Sequence, residues 1–155
     1  MKFRKKLRLK DFDYTSNHIS FITFRVVNGQ EILSGIGDSL ELTKEGEIVK
    51  KQIVWLEEQY EYVIIHSYVI MPNHVHLLLE IDDRKALPNQ KVKSISELIG
   101  ALKTTSCKQI RLTCNPLFQW HKSFHDRIVR DEVAYQMILN YIDENPKRWK
   151  EKRRS

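Results

Sequence analysis

Residues 62–81 read YVIIHSYVIMPNHVHLLLEI, two apolar runs flanking a Pro72-Asn73 step. Both runs are rich in β-branched and aliphatic residues, and Pro-Asn is turn chemistry, so the stretch predicts a hairpin of strands 62–71 and 74–81. Side chains alternate between faces along a strand. His74, His76, Leu78 and Glu80 therefore share one face, and Val75, Leu77, Leu79 and Ile81 the other. Two imidazoles then sit side by side on a strand that an aliphatic row anchors from behind. Taken alone, the pair fits either two ligands of a divalent cation or ordinary surface histidines.

Outward from this hairpin the pattern keeps alternating between strands and helices. Upstream, residues 18–27 (HISFITFRVV) are β-branched and aromatic and are bounded by Asn28-Gly29, which reads as a strand. Residues 31–42 suit a short hairpin around Gly35 and Gly37. A helix then runs from Thr43 to Gln59, with Ile48, Trp55 and Leu56, and Val49 and Ile53 nearby, at helical spacing. Downstream, residues 82–92 form a polar loop and residues 94–113 a second helix with Ile95, Leu98, Ile99 and Leu102 as its buried stripe. Residues 124–129 are a short strand. Asp131 opens a last helix that Pro146 is expected to stop. The order β-α-β-β-α-β plus a terminal helix predicts an α+β, ferredoxin-like (split βαβ) antiparallel sheet with its first and third strands central. Such a sheet serves binding modules and enzymes alike, so function must come from individual residues.

The chain has 155 residues, with 5 Gly, 4 Pro and no linker or repeat, which predicts one domain over 1–155. No apolar run spans a membrane and MKFRKKLRLK has no apolar signal core, so a cytoplasmic protein is expected. Cys107 and Cys114 suggest neither a disulfide framework nor a zinc site. The net charge of +6 is unevenly distributed. Residues 1–10 and 147–155 are strongly basic, 11–83 acidic, 84–130 basic again and 131–146 acidic. This suits a polyanion bound along one side, and it also suits charged tails that merely keep the chain soluble.

On the last helix Tyr141 and Asn145 are four apart, one turn along the same face. Tyr141 continues the stripe Ala134, Met137, Ile138, so the spacing fits core packing as well as a side chain turned toward a site on the sheet. Tyr135 lies about 240° around the axis from Tyr141, so the two cannot both face one site. Within FHDRIVR, Arg127, Arg130 or His125 could contact a phosphate, or the stretch could be a plain edge strand. Trp120 reads as core, His18, His66 and His121 as surface or packing, and Glu80 as a spare ligand at most. The basic groups Lys93, Lys103, Lys108 and Arg111 are read as a nucleic-acid-facing set on the second helix.

Together, MPNHVHLLLE and, about 65 residues later, YIDENP resemble the single-tyrosine transposases of the HUH superfamily, specifically the REP-associated branch. RLKDFDY, EGEIV, SISELIGALK and FHDRIVRDE extend the resemblance over nearly the whole chain. It implies a single-stranded DNA endonuclease and strand transferase. His74, His76 and Asn145 would hold Mg²⁺ or Mn²⁺, Tyr141 would form a 5′-phosphotyrosine, and the DNA would carry hairpins. Insertion-sequence relatives use glutamine where this chain has the shorter Asn145, so its coordination would be direct or through water. Those relatives are dimers that can exchange the tyrosine helix, whereas REP-associated ones can work alone, so the resemblance allows a homodimer or a monomer, with a homodimer expected. The competing reading is a catalytically idle, domesticated hairpin-binding regulator. An RNA-binding module of the same fold has no aromatic [KR]-G-[FY]-[GA]-F cluster to support it.

Overall fold

The computed structural model describes residues 18–154. Its elements are β1 (His18–Val26), β2 (Ser34–Ile36), β3 (Leu40–Leu42), α1 (Lys44–Gln59), β4 (Val63–Ile70), β5 (His74–Ile81), α2 (Ile95–Thr113), β6 (Trp120–Ile128) and α3 (Glu132–Arg154). Four strands form an antiparallel sheet in the order β4-β5-β1-β6, while β2 and β3 pair separately. The first and third strands of the predicted unit, β1 and β5, are thus the central ones. The basic N-terminal tail and RLKDFDY lie outside the described residues.

Helix starts are written in the local sequence. Thr43 caps α1 by accepting from Gly46 N–H, and Ser94 with Glu97 closes a reciprocal capping box on α2. Asp131 Oδ1 accepts from Ala134 N–H at the head of α3. Helices cover both faces of the sheet. Val75, Leu77 and Leu79 of β5 pack with Val49, Ile53, Leu56, Leu98, Ile99 and Leu102 of α1 and α2. Leu78, on the opposite pleat, packs with Ile19 and with Tyr135, Ile138, Leu139 and Ile142 of α3.

Four expectations need correction. The buried stripe of α1 is Val49, Ile53 and Leu56, whereas Trp55 is 44% exposed and edges onto Tyr60. Similarly, Met137 is 67% exposed, so it does not belong to the buried face of α3. The last strand of the sheet starts at Trp120, four residues early. Its register with β1 shifts between Phe24 and Val26, and Lys103 Nζ donates to the carbonyls of His121, Lys122 and Ser123 across that irregularity. The ammonium thus satisfies carbonyls that a regular ladder would have paired, which no local pattern reveals.

Pro146 does not stop α3, which carries it inside and continues to Arg154. An interior proline costs about 3 kcal/mol relative to alanine because it removes one backbone donor and crowds the preceding turn. Tertiary contacts beyond it offset that cost: Trp149 lies 6.1 Å from the His74 ring, Arg153 pairs with Glu31, and Arg153 also lies over Trp149. Asn145 is therefore an interior helical residue rather than a terminal one.

Candidate active site

The site is assembled from the pleat that faces α3. The β1–β5 register sets Arg25 opposite His74 and Thr23 opposite His76. The β1–β6 register sets His125 opposite Thr23 and Arg127 opposite Phe21. One face of three neighbouring strands thus carries two imidazoles on β5, with Arg25 beside them on β1 and Arg127 further across on β6.

Each histidine of the pair has a partner that fixes its ring. His74 Nδ1 lies 2.7 Å from Asn73 Oδ1, and Asn73 Nδ2 donates to Gly29 O. An amide oxygen can only accept, so His74 carries its proton on Nδ1 and keeps a lone pair on Nε2. His76 Nδ1 lies 2.9 Å from the Thr23 hydroxyl, and its buried Nε2 has no hydrogen-bond partner among the described residues. The rings are 4.7 Å apart. Burial, then the Arg25 charge, holds His74 down to about 4, and burial, then His74, holds His76 down to about 3. Both are neutral at physiological pH, the form in which imidazole is a ligand.

Above them comes α3. The Tyr141 ring stands 5.3 Å from the His76 ring and 6.1 Å from Phe21, with the Arg148 guanidinium 4.7 Å over it. Tyr141 is 37% exposed, whereas Tyr135 is fully buried and bonded to His66. Packing therefore claims Tyr135 and leaves Tyr141 at the mouth of the site. Tyr141 borders a cleft of about 580 Å³ shared with His74, His76 and Trp149, and another of about 560 Å³ shared with His125, Arg127 and Arg148. Asn145, nearly buried, joins His74 and Tyr141 in lining a third. Among the described residues no three His, Cys, Asp or Glu side chains form a metal-binding group, and the Asn145 amide shares its pocket with His74. Two free imidazole nitrogens beside an amide fit a small divalent cation.

The other sequence candidates are spread out. Arg127 lies 6.0 Å over Phe21, on the site's own face, and Arg130 is exposed just beyond β6. The α2 set stands on the helix behind the sheet. Lys93 precedes that helix, Lys103 is spent on β6 carbonyls, and Arg111 Nε donates to Phe118 O, which leaves Lys108 exposed. Trp120 is core, as expected, with Nε1 donating to Ser106. Sequence reasoning missed Thr23 and Asn73, which orient the imidazoles, and Arg148 and Trp149, which follow a proline expected to end the helix. It also left His66 idle, although that ring bridges Tyr135 and Glu80.

The family model Transposase IS200 like matches residues 41–145, from β3 through Asn145. The chain belongs to that family. A Haemophilus influenzae protein of uncharacterised function is 30% identical over 164 residues, covering 96% of this chain and 91% of the relative. Among solved structures, a REP-associated tyrosine transposase bound to a REP hairpin superposes with TM-score 0.64 at 16% identity, over 96% of this chain and 73% of that one. A candidate transposase from Deinococcus radiodurans R1 gives 0.55 at 18%, over 93% and 97%. These two superpositions establish the fold. The IS200-like match ends at Asn145, one residue before the proline that α3 carries inside it. No helix among the described residues is long and apolar enough to cross a membrane.

Proposed function

We propose that this IS200-like transposase is a divalent-metal-dependent endonuclease and strand transferase for single-stranded DNA, cutting beside hairpins through Tyr141. The observation that carries the reading is the Tyr141 ring, part-exposed and 5.3 Å from His76, over a pair of neutral imidazoles. A Mg²⁺ or Mn²⁺ held by His74, His76 and Asn145 would supply positive charge against the charge that builds on the scissile phosphate.

The chain's own residues account for the rest of the reaction. The Tyr141 hydroxyl loses its proton to solvent, and its oxygen bonds to phosphorus as the bond from phosphorus to the 3′-oxygen breaks. The 3′-oxygen leaves and takes up a proton. A 5′-phosphotyrosine and a free 3′-hydroxyl result, and attack by a 3′-hydroxyl reverses the exchange without an external energy source. Arg148, 4.7 Å over the Tyr141 ring, brings a positive charge to the phosphate that the phenol attacks. Arg25 and Arg127 lie on the same sheet face and offer charge to flanking phosphates, joined by Arg130. Lys93 and Lys108 would add long-range attraction. Hairpin DNA as substrate is carried over from the solved relative, which is bound to a REP hairpin.

The test incubates the protein with hairpin-bearing single strands and Mn²⁺ or Mg²⁺, followed by a denaturing gel. A covalent protein–DNA band is expected that is absent in Tyr141→Phe and in chelator. Hairpin binding with no band under either metal would instead identify an idle DNA-binding regulator.

A further inference from the structure

We propose that a buried Tyr135–His66–Glu80 chain positions the nucleophile helix, fixing the height and rotation of α3 on the sheet and hence where Tyr141 stands over the histidines. The inference rests on the reading of Tyr141 as nucleophile.

The Tyr135 hydroxyl lies 2.8 Å from His66 Nδ1, and His66 Nε2 lies 2.8 Å from Glu80 Oε1. The His66 and Glu80 side chains are 0% and 1% exposed. The chain thus links α3 to β4 and then to β5. Glu80 is four residues beyond His76 on the same strand and the same pleat, so the anchor and the imidazole pair share one rigid element. Tyr135 lies six residues before Tyr141, about 9 Å along the helix. A slide or roll of α3 at Tyr135 is therefore transmitted to Tyr141 almost undiminished.

The backbone is shaped to present His66. The β4–β5 register shifts between Ile65 and Ser67, and Glu57 of α1 accepts the Ile65 N–H at 2.7 Å. Before the bulge Val63 and Ile65 face the α1/α2 core, and after it Tyr68 and Ile70 do so. Alternation from Val63 and Ile65 turns His66 toward α3, and the bulge then shifts the phase so that Tyr68 and Ile70 return to the α1/α2 core.

Stability does not explain the arrangement. Apolar residues of similar volume in place of a buried charged group are often neutral or stabilising. The remainder of the buried α3 face, Ile138, Leu139 and Ile142, is held by aliphatic contacts, which are non-directional and tolerate a shifted register. Hydrogen bonds with fixed geometry do not.

The test uses the full chain carrying Tyr135→Phe, His66→Leu and Glu80→Leu together, with Tyr135→Phe alone and Glu80→Gln as companions. The triple variant should keep a wild-type or higher melting midpoint and unchanged hairpin affinity, while its single-turnover rate of covalent adduct formation falls by about 100-fold. Glu80→Gln keeps an oxygen acceptor for His66 and should retain most of the rate. In fluorotyrosine-labelled protein without DNA, the Tyr141 ¹⁹F resonance, assigned with Tyr141→Phe, should move in the triple variant. A wild-type rate with an unmoved resonance overturns the proposal. So does a rate that falls only in step with the melting midpoint in both the triple variant and Tyr135→Phe. If wild type forms no adduct but the resonance moves, the positioning role stands and the nuclease reading fails.

Discussion

His74 and His76 are held neutral by burial, which ties the metal-free protein's stability to pH with a definite sign. Their folded values, about 4 and about 3, lie below the ordinary 6.5, so on acidification the unfolded chain takes up protons that the folded chain refuses. Their contribution is complete above about pH 6.5 and is lost as pH falls through that value toward 4 and then 3. Urea unfolding of the metal-free protein at pH 7.5 and 5 should show a lower midpoint at pH 5, by on the order of 1 kcal/mol per histidine per pH unit below 6.5. The double variant His74→Gln, His76→Gln should flatten that dependence. Thr23 acts on the same pair through the bond to His76 Nδ1. Thr23→Val keeps the shape and removes that partner, so Mn²⁺ affinity measured by calorimetry should fall about 10-fold while the fold survives.

Among the elements, α1 shows how tightly the parts are keyed. Gly46, in its first turn, packs against the Leu33 carbonyl, which also accepts from Thr43 N–H and the Thr43 hydroxyl. A methyl group at Gly46 would collide with that backbone oxygen. Gly46→Ala should therefore lower stability by about 1–3 kcal/mol in denaturant unfolding, although alanine is the better helix former. The helix caps, the Pro72-Asn73 hairpin and the alternation of β5 were all legible in sequence, because each is decided by neighbours within four residues. Trp55, the early start of β6 and the passage of α3 through Pro146 were not. Those depend on partners distant in the chain: the packing of α1, the Lys103 ammonium, and Glu31 and His74 facing the end of α3.

Over the whole molecule, the sheet places groups from β1, β5, β6 and α3 around one opening, and the IS200-like family match covers most of them. The spacing of His74 with His76 and of Tyr141 with Asn145 was readable from the chain. The family resemblance named Tyr141 rather than Tyr135 as the nucleophile, whereas helical spacing alone left both open; the packing buries Tyr135 and leaves Tyr141 part-exposed. Thr23 and Asn73, which orient the imidazoles, carry no local signal, because a threonine in a strand and an asparagine in a turn are ordinary there. Tandem mass spectrometry of the peptide left attached to DNA after cleavage tests most directly whether these groups act on one centre. Residues 131–147, released together by trypsin, contain both tyrosines. The nucleotide is predicted on Tyr141, and a nucleotide on Tyr135 or on any residue away from the histidine pair would contradict the account.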